Sequence, residues 1–172
     1  MSQYLLIAVP ALGALWALIS YNRFVTMRNR CVNGWSQIDI QIMKRHELVP
    51  KLVETVSGYA AHEREVFERA ARLRSESMAA TSPAAAASAE ERLEGSIRAL
   101  IGVAEAYPGL KADTVFLELQ RDLTRLEDDI RFARQFYNDT VMRYNTLIGV
   151  FPNSLLARAT GFSEREFFYA GG

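Results

Sequence analysis

Residues 35–73 read WSQIDIQIMKRHELVPKLVETVSGYAAHEREVFERAARL, and one set of positions in this stretch recurs three and four residues apart. The set is Trp35, Ile38, Ile42, Arg45, Val49, Leu52, Val56, Tyr59, Glu63, Val66, Ala70 and Leu73. Ten of these twelve are apolar or aromatic, spaced as a heptad seam sustained for more than five repeats. The stretch therefore predicts a long helix. Pro50 lies inside it, removes one backbone hydrogen bond, and predicts a bend at residues 47–50.

Downstream, Asp113 is a plausible N-cap for a second seam of Phe116, Leu119, Leu123, Leu126, Ile130, Ala133 and Tyr137. The stripe then stutters and continues through Val141, Tyr144 and Ile148. Between the seams, Ser82 followed by Pro83 is an N-cap with a first-turn proline, which opens a middle helix. Its apolar face is Leu93, Ile97, Leu100, Ile101 and Ala104, and Tyr107-Pro108-Gly109 ends it. The alanine tract 84–87 has little to bury, so the tip at residues 78–89 is expected to be mobile. The fold class is all-α: an antiparallel bundle of three to four long helices, read most simply as up-down-up.

Upstream, Met1 to Asn22 carry no charged side chain, whereas all 20 basic and 20 acidic residues follow. The run Tyr4 to Ser20, with its flanks, spans roughly 30 Å as a helix, the thickness of a bilayer's hydrocarbon core. It predicts an N-terminal transmembrane helix. Arg23, Arg28 and Arg30 crowd its downstream end, so the positive-inside rule puts the N-terminus outside and the body in the cytoplasm. Tyr4, Trp16 and Tyr21 suit the two interfacial belts. The organisation is thus an anchor over residues 1–22, a cytoplasmic bundle over 23–149 and an aromatic tail over 150–172.

The net charge is zero, which leaves no footprint for nucleic acid. Residues 23–51 nevertheless hold Arg23, Arg28, Arg30, Lys44, Arg45 and Lys51 against Asp39 and Glu47, an excess suited to anionic headgroups. The single cysteine, Cys31, excludes an internal disulfide and a multi-cysteine zinc site. His46 and His62 are each followed by glutamate but lack the second histidine of a zinc-protease helix. Met43 and Tyr59 stand where a di-iron bundle would need glutamate. With no phosphate loop and no nucleophile elbow, the expectation is no catalytic residue, no cofactor and no metal.

Arg45 and Glu63 interrupt the first seam 18 residues apart, roughly 27 Å along a helix, so they cannot pair with each other. If they face the bundle, each needs a partner on another helix, for which Glu127 and Arg134 have suitable signs; the alternative is that both side chains snorkel to its edge. Tyr137-Asn138 and Tyr144-Asn145 put two asparagines on one face, either specifying register or solvated beside buried tyrosines. Phe162, Phe167, Phe168 and Tyr169 make the tail too hydrophobic to stay free. It is expected to dock on its own bundle, on a neighbouring subunit or on the bilayer.

The motifs Tyr21-Asn22-x-x-Val25, Trp35-x-x-Ile38, Arg45-x-x-Leu48-Val49-Pro50-x-Leu52-Val53, Gly58-Tyr59-Ala60-x-His62-Glu63, Tyr107-Pro108-x-Leu110-Lys111, Ala133-Arg134-x-x-Tyr137-Asn138 and Tyr144-Asn145-x-x-Ile148 run in order along nearly the whole chain. Together they resemble the LemA family, with a departure at Glu127-Asp128-Asp129-Ile130, where members often carry Glu-Asn before the isoleucine. The resemblance implies a single-pass membrane protein with an outside N-terminus and a cytoplasmic helical bundle; it implies no activity. Relatives are linked with magnetosome formation, and others are thought to sit near membrane proteases and envelope stress functions. Arg45, Glu63, Arg134, Asn138 and Asn145, carried over by motif, suggest structural or assembly roles.

The function expected from these features is a scaffold of the bacterial inner membrane acting by homo-oligomerisation. A middle helix of roughly 36 Å beside a last helix of about 55 Å should leave part of the longer stripe bare and open to other copies. Complete cover of Phe116, Ile130 and Tyr144 within one chain would defeat that argument. The alternative is an adaptor or regulator that binds a membrane protease or envelope-stress component.

Overall fold

A computed structural model of the chain describes residues 2–169, with side chains described for 8–169. Its helices are α1 (Ser2–Ser57), α2 (Arg64–Met78), α3 (Pro83–Val103), α4 (Pro108–Lys111), α5 (Thr114–Gly149) and α6 (Asn153–Ala159). A 3-10 turn at Ala104–Ala106 joins α3 to the connection before α4, and there is no strand among the described residues.

The long helices α1 and α5 run antiparallel. Tyr59 donates its hydroxyl to Asp113 Oδ2 at 2.8 Å at one end, and Trp35 lies against Tyr137 with ring centroids 5.9 Å apart near the middle. Asp113 also caps α5, accepting from the Phe116 amide at 2.9 Å; that bond and the Tyr59 hydroxyl hold its carboxyl below the usual range. Helix α2 folds back along α1, and α3 reverses again, opened by Ser82 accepting from the Ala85 amide. The order is therefore up-down-up-down, with α2 and α3 covering only the half of the α1–α5 pair remote from the N-terminus.

The first seam is two helices rather than one. The backbone turns back over residues 58–63, after which the α2 stripe resumes with Ala70 and Leu73 buried. Two helices whose stripes happen to be in phase cannot be told from one by spacing alone. Conversely, α1 passes through Pro50 without a break.

Buried side chains form two clusters stacked end to end. One joins Val49, Leu52 and Val56 of α1 with Leu93, Ile97 and Leu100 of α3 and Phe116 and Leu123 of α5. The other joins Phe24, Ile38 and Ile42 of α1 with Ile130, Tyr137 and Tyr144 of α5 and Phe168 of the tail. Ala86 and Ala87 belong to this second cluster, so the tip read as having little to bury is packed where α3 starts. Small side chains there let α3 approach α1 closely.

Helix α6 ends in a Schellman arrangement. Gly161 has φ of 75°, and the Phe162 amide reaches back to the Ala157 carbonyl at 2.9 Å. From there residues 162–169 run without helix along α1 and α5, over the half that α2 and α3 leave open. No part of the α5 stripe is left bare as helix length predicts: Phe116 is buried in the cluster with α3, and Ile130 and Tyr144 in the cluster that includes Phe168 of the tail.

Among the described residues no helix is long and apolar enough to cross a membrane. The anchor read over residues 1–22 includes residues 1–7, whose side chains lie outside the described residues.

Candidate functional site

A polar layer separates the two apolar clusters. Arg45 and His46 on α1, Ser77 on α2 and Glu90 on α3 are all buried and mutually bonded. Arg45 Nη1 donates to Glu90 Oε2 at 3.0 Å, and His46 Nε2 lies 2.8 Å from Glu90 Oε1 and 3.0 Å from Ser77 Oγ. Ser77 donates its hydroxyl to Glu90 Oε1. A serine has one hydroxyl proton, so with that proton on Glu90 the His46 contacts require the ring proton on Nε2. Burial raises the Glu90 carboxyl, but the hydrogen bonds from His46 and Ser77 and the Arg45 charge outweigh it and hold the group below the ordinary glutamate range.

The residue types resemble a nucleophile, base and acid, but the geometry is different. In such a relay the serine and the carboxylate occupy opposite nitrogens of the ring, whereas here both meet Nε2. What the layer can do is set register: shifting α1 or α3 by a turn would strand Arg45 and Glu90 as buried unpaired charges, and shifting α2 would withdraw the Ser77 hydroxyl from Glu90.

The second constellation holds the tail. Asn138 donates to the Phe168 carbonyl at 3.3 Å and accepts from its amide at 2.8 Å; Asn145 does the same for Arg165, at 2.9 Å in both directions. Each asparagine thus pairs with one backbone residue as a neighbouring strand would. Tyr137 and Tyr144 donate their hydroxyls to the carbonyls of Glu166 and Ser163 at 2.8 and 2.9 Å. Phe168 is fully buried, with the Arg134 guanidinium 5.0 Å from its ring centre. Phe162 packs edge-on against Tyr21 and Phe24, beneath Arg28, and Phe167 stacks on Tyr169 at 5.4 Å.

The expected ion-pair partners are placed differently. Arg45 pairs with Glu90 rather than with Glu127, which instead takes Arg98 at 2.8 Å. Glu63 stands at the N-cap of α2 without a side-chain cap bond, and Arg134 lies over Phe168. The asparagines are not simply solvated beside their tyrosines. Glu90 and Ser77 went unread, although both lie on stripes: Ala86, Glu90, Leu93, Ile97 and Leu100 keep the four-three rhythm of α3, and Val66, Ala70, Leu73 and Ser77 keep that of α2. Extending each apolar stripe by one step would have found them.

The third feature is a bare groove between α1 and α5, of about 470 Å³, whose apolar walls are Ile40, Phe132, Ala133 and Phe136. Ile40 is 51% exposed, Phe132 65% and Phe136 52%. Among the described residues no group of three His, Cys, Asp or Glu side chains is arranged to hold a metal ion.

The chain is 28% identical to magnetosome protein MamQ of Magnetospirillum gryphiswaldense, over 88% of this chain and 65% of that protein. It is likewise 28% identical to MamQ 2 of Paramagnetospirillum magneticum, with the same coverage, and 24% identical to protein LemA of Metamycoplasma hominis, over 87% of this chain and 68% of the relative. It therefore spans just under two thirds of the length of the MamQ proteins. The model of the LemA family matches residues 34–172, across the polar layer and the tail clamp alike, and the chain belongs to that family.

Proposed function

We propose that this protein is a membrane-anchored helical scaffold that works by self-association at the bacterial inner membrane, with its N-terminus outside and its bundle in the cytoplasm. The observation that carries the reading is the groove between α1 and α5 where Ile40, Phe132 and Phe136 stand exposed together, rimmed by Gln37, Gln41 and Asp129, a surface of the kind that marks an interaction site. The anchor is supported by the uncharged run of residues 1–22 and by Val9, Leu12, Leu15, Leu18 and Ile19, which stand exposed where α1 extends past the bundle. A common anchor would hold every copy at one height with this groove facing sideways, raising the effective concentration of like faces.

The test is the mass of the full-length protein in native membrane discs, for the wild type and for a variant with Phe132→Glu and Phe136→Glu. A discrete multiple of 19.4 kDa that collapses to the monomer in the variant supports the scaffold. A monomer in both rejects it in favour of an adaptor for a different membrane protein.

A further inference from the structure

At the end of the bundle where α1 leaves for its exposed apolar stretch, a second groove of about 660 Å³ lies between α1 and α5. Three of its walls are arginines: Arg23 and Arg30 from α1 and Arg143 from α5. Its floor is apolar, from Ile19, Met27 and Leu147. Arg143 is distant in sequence from the juxtamembrane arginines. It joins them because Trp35 meets Tyr137 in an antiparallel pair, so the residue six beyond Tyr137 comes level with Asn29 and Arg30.

The three guanidinium groups are exposed, and among the described residues none of them forms an ion pair. The adjoining stretch of groove shares Met27, Arg30 and Arg143 with this one and also carries Asp139, which forms no ion pair with either arginine. Arginine forks suit phosphate oxygens, and a basic recess above an apolar floor matches a phospholipid where headgroup meets acyl chain. The same end of the bundle carries a further mark of contact with lipid. Antiparallel pairing brings Gly149 level with Arg23, and just beyond it Phe151 is 79% exposed and Leu155 is 61% exposed. These are large apolar side chains at the height where the anchor emerges, as expected of residues that dip into a bilayer interface.

We propose that the groove of Arg23, Arg30 and Arg143 binds the phosphate of an anionic phospholipid headgroup, with the glycerol end of the lipid on Ile19, Met27 and Leu147. The orientation of this site relative to the bilayer rests on the anchored reading above. The ligand chemistry is a phosphate anion, and the apolar floor assigns it to a lipid rather than to free phosphate.

The test uses full-length protein in a mild non-ionic detergent, offered phosphatidylglycerol or phosphatidylcholine at equal concentration, with retained lipid counted by native mass spectrometry. Phosphatidylglycerol should be retained over phosphatidylcholine. Arg143→Gln and Arg30→Gln should each lower that retention about fivefold, the worth of one arginine at an anionic surface. Arg121→Gln, at the remote end of α5, should leave it unchanged. Equal retention by wild type and both groove variants overturns the site. Loss of the lipid to an equal concentration of inorganic phosphate reassigns the groove to the free anion and overturns the lipid. Thermal melting of each variant checks that the fold is intact, as expected for exposed side chains. The anchor is judged separately, by flotation with neutral phosphatidylcholine vesicles in high salt. Failure to float there overturns the anchor while the lipid count still decides the groove.

Discussion

Arg74 donates through Nε to the backbone carbonyl of His46 at 2.7 Å, and that carbonyl is the one left without its helical partner by Pro50 four residues on. A side chain from α2 thus supplies the hydrogen bond that the proline withholds, and α1 continues to Ser57. The same contact fixes α2 against α1 beside the polar layer.

Removing this donor should cost more stability while the proline is present than in its absence. Arg74→Ala is expected to destabilise by about 1–3 kcal/mol, the cost of a partly buried carbonyl left unpaired. In a Pro50→Ala background the new amide reaches the carbonyl, and the loss should shrink by about 1 kcal/mol. Urea denaturation of the four proteins in a double-mutant cycle measures the coupling. Strict additivity would mean that the two residues act independently.

The acid limb of stability should belong in part to Glu90. Its carboxyl is held below its ordinary value of 4.5, so the folded state gains from the charged form. That contribution is fully present above 4.5 and is lost as pH falls through the lowered folded-state value. Glu90→Ala should cost about 3–5 kcal/mol at neutral pH by stranding Arg45. Glu90→Gln should cost less, and its deficit relative to wild type should shrink below pH 4.5, read as urea midpoints against pH. Parallel profiles would refute the assignment.

The tail clamp should come apart one residue at a time. Asn138→Ala should speed amide exchange at Phe168, and Asn145→Ala at Arg165, by roughly five- to tenfold for a bond worth about 1 kcal/mol. Each change is expected to leave the α2–α3 half protected. Uniform deprotection of the whole chain by either variant would show that the tail is not a separable unit.

Ser96 is buried on α3 with a hydroxyl that makes no hydrogen bond. Ser96→Ala should therefore raise stability, by about 1 kcal/mol, since it removes an unsatisfied group and adds helix propensity. A lower melting temperature would point to a partner for that hydroxyl.

Features that depend on spacing along one helix were legible before any fold was known. The stripes of α1, α3 and α5, the caps at Ser82 and Asp113 and the family motifs are all local periodicities or local backbone chemistry. The turn at residues 58–63 escaped because two in-phase stripes look like one. The continuity of α1 escaped because the donor that rescues Pro50 sits on another helix. Tertiary structure alone decided which charges meet, since a seam says which residues face inward but not at what height they lie opposite one another. Arg45 found Glu90, and Arg143 joined Arg23 and Arg30, through the antiparallel offset of whole helices. It also decided the fate of the tail, because an aromatic segment without periodicity names no partner until a groove of matching depth, lined here by Asn138 and Asn145, stands beside it.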